Sequence, residues 1–188
     1  MNWLNVIALL LAAFLAVFLE SHVRLLRNLL GAQIDLLPAL MVYAALTFGL
    51  GVVTALACLG GLWFDSLSAN PLGITILPLF LVGTIVHRYR DLILRNQPQA
   101  QFTLGLGASA LSPLLVVVLL LNLGYEPMLG WHSLWQWLVM ALGGAAITPL
   151  LFRLFDHFSR VLNHPPRSES GFRPDREIKR GRLSHVDR

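Results

Sequence analysis

Charged residues are scarce in this chain. Of its 188 residues, only 13% are charged and 56% are hydrophobic, whereas soluble domains carry about 25% charged and 45–50% apolar residues. The deficit is concentrated in blocks, because no charged residue occurs in residues 36–64 or 127–152. A stretch of about 20 apolar residues is enough to span a bilayer. The composition therefore excludes an ordinary soluble domain and predicts an all-α polytopic membrane protein.

Cysteine and the common catalytic motifs are also nearly absent. A lone Cys58 lies in a hydrophobic block, which excludes an internal disulfide and is typical of a small buried apolar residue. The chain has no HExxH, GxSxG or GxxxxGK[ST] pattern and no pair of carboxylates within a hydrophobic run. His132 has no second ligand at metal-binding spacing. We therefore expect no enzyme activity, no bound metal and no cofactor.

Six hydrophobic segments are expected to form helices in a membrane domain of residues 1–162. They are residues 3–19, 34–48, 51–66, 71–87, 102–123 and 134–155. A single helix over residues 34–64 would measure about 45 Å, against a hydrocarbon core of about 30 Å. The glycines in TFGLG, residues 47–51, are therefore expected to break this run.

The flanking segments have compositions of their own. The first hydrophobic segment has no basic n-region and no small-residue cleavage site, so we expect a retained helix. Residues 20–33, with Arg24 and Arg27 among leucines, are typical of an amphipathic piece at the interface. Residues 163–188 are rich in charge, Pro, Ser and Gly and are expected to form a disordered basic cytoplasmic tail.

The positions of the 14 Lys and Arg residues predict an orientation. Nine lie at Arg153 and beyond, three lie between the fourth and fifth segments, and two follow the first. Six spans with both termini in the cytoplasm place twelve of them inside and two outside. A five-span alternative merges the second and third segments and puts the N-terminus outside. It fits the charges slightly better and the helix lengths much worse.

Small and aromatic residues recur at positions that indicate packing. Small residues at helix-packing spacing are Ala57 with Gly61, Gly105 with Ser109, Ala108 with Ser112, and residues 143–146. Such spacing lets helices approach closely, either inside the protein or against a partner. Trp131, Trp135 and Trp137 are typical of an interfacial aromatic belt.

The stretch GLWFDSLSANPLG, residues 61–73, places Asp65 at or near membrane depth. A charge there is costly and usually functional. In one interpretation, Asp65 accepts hydrogen bonds from amides near residues 66–68 and starts the following turn. Whatever the role of Asp65, Asn70 is expected to cap the fourth helix and Pro71 to open it. In the other interpretation Asp65 contacts a partner or ligand directly, and the sequence leaves both open.

In this stretch the chain resembles a known family. Gly61, Asp65 and Ser68, followed by Pro71 and then Leu72-Gly73, are similar to the G-x3-D-x2-S-x3-LG signature of the MreD family of rod shape-determining membrane proteins. The Ile-Asp pair at residues 34–35, with Pro38 following, resembles the start of the second helix in that family. The resemblance covers about residues 33–96. The turn at residues 47–51 departs from it, because several relatives carry a basic residue there.

The resemblance implies a fold, a role and a set of partners. The fold would have five or six helices and be similar to the substrate-binding subunit of ECF-type vitamin-uptake transporters, without catalysis. The role would be in the cell-elongation complex of the bacterial inner membrane, which maintains rod shape and lateral peptidoglycan synthesis. The partners would be MreC, and beside it MreB, RodA and a class B penicillin-binding transpeptidase. The residues carried over as motif and possible partner contact are Gly61, Asp65, Ser68, Pro71 and Gly73.

Other functions stay open on the residues alone. A vitamin-binding transporter subunit would use the same six-helix fold with a polar pocket near its outer face. An intramembrane hydrolase would need a second catalytic group facing Asp65 or His132. The basic residues 176–182, REIKRGR, are typical of a solvated tail or of contact with anionic membrane lipid. Nucleic acid is not expected as a partner, because residues 167–188 carry seven basic and four acidic residues, a net charge of only +3.

Overall fold

The computed structural model describes residues 3–22, 33–68, 70–93, 97–125 and 130–162. The predictions for Arg24 and Arg27, for most of the interfacial segment around them, and for the tail of residues 163–188 lie outside the described residues. The side chain of His132 lies outside them as well.

All regular structure in the described residues is helical. The α-helices are Trp3–His22 (α1), Leu37–Thr47 (α2), Leu50–Leu67 (α3), Ile76–Arg88 (α4), Pro98–Asn122 (α5) and Trp131–Leu162 (α6), with one 3-10 turn at Arg90–Leu92. Four of them, α1, α3, α5 and α6, are long and apolar enough to cross a membrane. The prediction of an all-α protein built from membrane-type helices is therefore confirmed.

The short helix α2 occupies the centre of the protein. Its 11 residues are uncharged and apolar on every side, a pattern that is typical of a fully buried helix. Every residue from Leu37 to Leu46 is buried, and α2 packs against all five other α-helices. Tyr43 stacks on Phe155 of α6 at a ring separation of 4.6 Å. The core of the fold is therefore assembled around α2.

The predicted break at residues 47–51 is confirmed. Helix α2 ends at Thr47 and α3 begins at Leu50, with Phe48 and Gly49 in extended conformation between them. Gly49 has φ −78° and ψ 166°, values that any residue adopts. The break therefore does not depend on the left-handed freedom of glycine.

The predicted start of the fourth helix is wrong. We expected Asn70 and Pro71 to open it, but residues 72–75 form a turn and α4 begins at Ile76. Gly73 has φ +89°, a left-handed conformation that a right-handed helix cannot pass through. The end of the last helix differs as well, because α6 continues to Leu162, seven residues beyond its predicted end at residue 155. Helix α5 begins earlier than predicted, at Pro98, because proline suits the first turn of a helix.

Helices α5 and α6 approach each other along a seam of small residues. A Cβ added at Gly105 would overlap Thr148 Oγ1, and one added at Gly144 would overlap Ser109 Oγ. The prediction that these small residues permit close packing is thus confirmed, and their contact is internal. Cys58, in contrast, is exposed, so the prediction that it is buried is wrong. Its side chain faces outward from the apolar helix α3, and a free thiol, which behaves as a small hydrophobic group, is compatible with apolar surroundings there.

Candidate functional site: buried carboxylates at helix starts

Asp65 lies near the C-terminal end of α3 with only 2% of its surface exposed. Its Oδ2 accepts hydrogen bonds from the Gly73 amide at 2.8 Å and the Thr75 amide at 3.1 Å. Its Oδ1 accepts a hydrogen bond from the Thr75 hydroxyl. Both oxygens of this carboxylate are therefore engaged by the turn that leads into α4.

The predicted donors of these hydrogen bonds are wrong. We expected amides near residues 66–68, but that part of the chain is still helical. The Ser68 amide, for example, donates to Phe64 O at 3.0 Å. Because these amides are used within α3, the carboxylate reaches eight to ten residues ahead instead. Asp65 thus links the end of α3 directly to the start of α4.

Two glycines let the turn close tightly on α3. A Cβ at Gly61 would lie 3.0 Å from both the Cα and the backbone N of Ile76, which is tighter than ordinary contact. Gly73, at φ +89°, holds the conformation that turns its amide toward Asp65. Glycine is thus required at residue 61 for space and at residue 73 for backbone conformation.

Ser68 and Pro71 complete the same turn. The Ser68 hydroxyl donates to Asp65 O at 3.3 Å and accepts from the Asn70 amide at 3.3 Å. Pro71 O accepts from the Ile74 amide at 3.3 Å. The structure therefore brings the five residues of the G-x3-D-x2-S-x2-P-x-G pattern into one unit, which we call the Asp65 turn (the described residues of 61–76).

A pair of carboxylates at the start of α2 was missed by reasoning from the sequence. Asp35 is 6% exposed, and its Oδ1 accepts from the Leu37 amide at 2.9 Å. Glu20 lies near the end of α1, and its Oε1 accepts a hydrogen bond from the Leu36 amide at 2.6 Å. Leu36 directly precedes Leu37 in the chain. Glu20 Oε2 is buried and has no hydrogen-bond partner among the described residues. The sequence has no pair of carboxylates within one hydrophobic run, but these two acids come from separate segments and meet at the start of α2.

One feature of the sequence could have indicated this pair: both acids lie at the edges of hydrophobic blocks. Glu20 ends the uncharged run of α1, and Asp35 immediately precedes the uncharged run of residues 36–64.

The two short helices share one design at their starts. A helix leaves its first amides without intrahelical partners, and its N-terminus favours negative charge. Glu20 from α1 and Asp35 supply acceptors at the start of α2, and Asp65 from α3 supplies them at the start of α4. In both cases the preceding long helix contributes one carboxylate. The residue just before each short helix, Leu36 or Thr75, is therefore hydrogen-bonded to the preceding long helix.

Basic side chains complement the opposite end of α2. The half-buried His87 donates from Nδ1 to Ala45 O at 3.0 Å, and Arg90 Nη1 donates to Phe48 O at 3.4 Å. Cationic and donor groups are favourable at a helix C-terminus, where carbonyls lack partners. His87 and Arg90 thus connect the end of α4 and the turn after it to the end of α2.

Two grooves follow the pair α5 and α6. One, about 740 Å³, lies beside Pro113, Trp131 and Trp137, and the Trp137 indole donates to Ala110 O at 2.9 Å. The other, about 460 Å³, lies at the opposite end of the pair, between Phe102 and Arg153. Neither groove is lined by the carboxylates described above.

The fold and the site together define an α-helical protein with apolar helices of membrane-spanning length and with buried carboxylates at the turns that lead into its two short helices. Among the described residues, no group of three or more His, Cys, Asp or Glu side chains forms a potential metal site. Comparison of the chain with protein-family models, curated proteins and solved structures gives no match.

Proposed function

We propose that this chain is a non-enzymatic, MreD-type scaffold of the bacterial cell-elongation complex. It would lie in the inner membrane, bind MreC, and act beside MreB, RodA and a class B transpeptidase in rod shape and lateral peptidoglycan synthesis. The observation that carries the proposal is the Asp65 turn. The residues that resemble the family signature, Gly61, Asp65, Ser68, Pro71 and Gly73, fold into one closed unit.

The hydrogen bonds that Asp65 accepts favour a role in a scaffold over a role in catalysis. A general acid or base must offer an oxygen to the proton that it transfers. Both Asp65 oxygens instead accept hydrogen bonds from Gly73 and Thr75. In the proposed function the carboxylate shapes a rigid surface, and that surface carries the partner contact. Leu67 and Leu72, which flank the turn and are 55% and 72% exposed, offer apolar area for it.

The proposed topology has six spans with both termini in the cytoplasm. The 11 residues of α2 and the 13 of α4 are too short for a full crossing, at about 16 and 20 Å. Non-helical backbone at membrane depth is tolerated where protein encloses it. The turns that start α2 and α4 meet this condition through their buried carboxylates, Asp35 and Asp65. This topology places the Asp65 turn toward the outer face and Arg88, Arg90 and Arg153 toward the cytoplasm.

The test is capture of MreC from native membranes by the affinity-tagged full chain. We expect MreC from the same host to co-purify, and deletion of the gene in a rod-shaped host to give rounded cells. The Asp65→Asn variant should capture less MreC, whereas Ser66→Ala, one residue away and exposed, should capture as much as the wild type. Unchanged cell shape on deletion together with absence of MreC from the eluate would refute the proposal. Tight binding of a small vitamin by the purified chain would instead favour the transporter subunit.

A further inference from the structure

The smaller groove on the α5–α6 pair combines an apolar wall with a single cation. It has a volume of about 460 Å³, and its walls include Gln99, Phe102 and Thr103 of α5 and Leu150 and Arg153 of α6. Phe102 and Leu150 are 44% and 60% exposed, so the apolar wall is open to the surroundings of the helices. We call this feature the Arg153 groove.

Arg153 is placed to receive an anion. It is exposed, and among the described residues it makes no ion pair with a carboxylate. Asp156 and His157, the next titratable residues along α6, are not part of the groove lining. The guanidinium of an arginine matches phosphate geometry with two parallel hydrogen bonds. The Gln99 side-chain amide lines the same groove, and the start of α5 at Pro98 adds the positive end of its dipole.

The apolar part of the groove indicates what kind of anion fits. Phe102 and Leu150 cannot hydrogen-bond a soluble phosphate, but they offer contact to an acyl chain. Basic pockets between transmembrane helices are sites for the head groups of anionic lipids. We propose that the Arg153 groove binds an anionic phospholipid, with its phosphate at Arg153 and Gln99 and an acyl chain along Phe102 and Leu150. This inference goes beyond the proposed function and does not depend on it.

The test is native mass spectrometry of the purified full chain with equal amounts of phosphatidylglycerol and phosphatidylcholine. One basic residue near the membrane surface favours anionic lipid by roughly five-fold, so we expect about that ratio of bound lipids for the wild type. Arg153→Gln should bring the ratio close to one. Leu150→Trp, which fills the groove without changing the charge, should lower the occupancy of both lipids.

The matched control is Arg88→Gln. It removes the same charge from an exposed position at the end of α4, outside the groove. Arg88→Gln should keep the preference for phosphatidylglycerol. An unchanged ratio in Arg153→Gln, or an equal loss in Arg88→Gln, would overturn the proposal.

A second measurement uses only the wild-type protein, in case Arg153→Gln does not fold. Phosphatidylglycerol with a photoreactive acyl chain is crosslinked to the protein in vesicles, and the modified peptides are mapped. We expect crosslinks in residues 98–103 and 149–153. Crosslinks confined to other helices would overturn the proposal.

Discussion

Replacement of Asp65 by alanine should destabilise the protein more than any other single change in the turn that it organises. The carboxylate accepts from two backbone amides, at 2.8 and 3.1 Å, and from one hydroxyl. In Asp65→Ala all three donors lose their acceptor at a site where the side chain is 2% exposed. The Thr75 hydroxyl can rotate toward another acceptor, but the amides of Gly73 and Thr75 are fixed by the backbone.

The size of the effect follows from these two stranded amides. A buried donor without a partner costs about 1–3 kcal/mol. The Thr75 amide is buried and the Gly73 amide is half-buried, so the two together give about 3 kcal/mol. Asp65→Asn keeps one carbonyl oxygen as an acceptor and should lose about half as much. Against a total stability of about 5–15 kcal/mol for a typical protein, the alanine variant would be severely weakened.

The assay is reversible unfolding of the purified full chain in mixed micelles with increasing SDS, followed by far-UV circular dichroism. Ser66→Ala is the matched control, because its exposed hydroxyl bonds only to Trp63 O, and surface changes of this kind stay within about 0.5 kcal/mol. Thr75→Val removes the hydroxyl donor, and the double variant with Asp65→Ala should be non-additive because the two side chains are in direct contact. Equal midpoints for Asp65→Ala and Ser66→Ala would refute the reasoning.

Three further predictions use the same unfolding assay. Gly105→Ala should destabilise the protein by about 1–3 kcal/mol, because the added Cβ would overlap Thr148. Gly107→Ala should be neutral or stabilising, because nothing lies within 4 Å of its added Cβ. Equal effects of the two substitutions would contradict the close packing of α5 on α6. Gly73→Ala should cost about 1–2 kcal/mol because φ is +89°, and Gly51→Ala, in open space within α3, should not. Asp35→Ala should cost about 1–3 kcal/mol, because the Leu37 amide loses its acceptor at a buried position. An unfolding midpoint equal to that of the wild type would contradict this contact.

The helices themselves could be predicted from the sequence because their signals are local. Uncharged runs located α1, α3, α5 and α6, and two glycines located the break between α2 and α3. The start of α4 was mispredicted because Asn70 and Pro71 are a good local start signal, while the actual start depends on a carboxylate several residues earlier in the chain.

The candidate site was only partly predictable for the same reason. The sequence pointed to Asp65 because a lone acid beside a hydrophobic block is conspicuous. The pairing of Glu20 with Asp35 at neighbouring amides depends on how α1 packs beside the start of α2. The contact of His87 with Ala45 joins residues 42 positions apart. No local pattern contains such contacts, since they arise only when the helices are assembled.

The central position of α2 has a consequence for how the protein is made. This helix is synthesised early, yet its packing partners α5 and α6 begin about 50 residues or more after it ends. With only 11 residues it is too short to cross a bilayer alone. It therefore remains in contact with lipid or the insertion machinery until α5 and α6 have been synthesised. Changes in α6, such as at Phe155 against Tyr43, should therefore affect the yield of correctly inserted protein as well as its final stability.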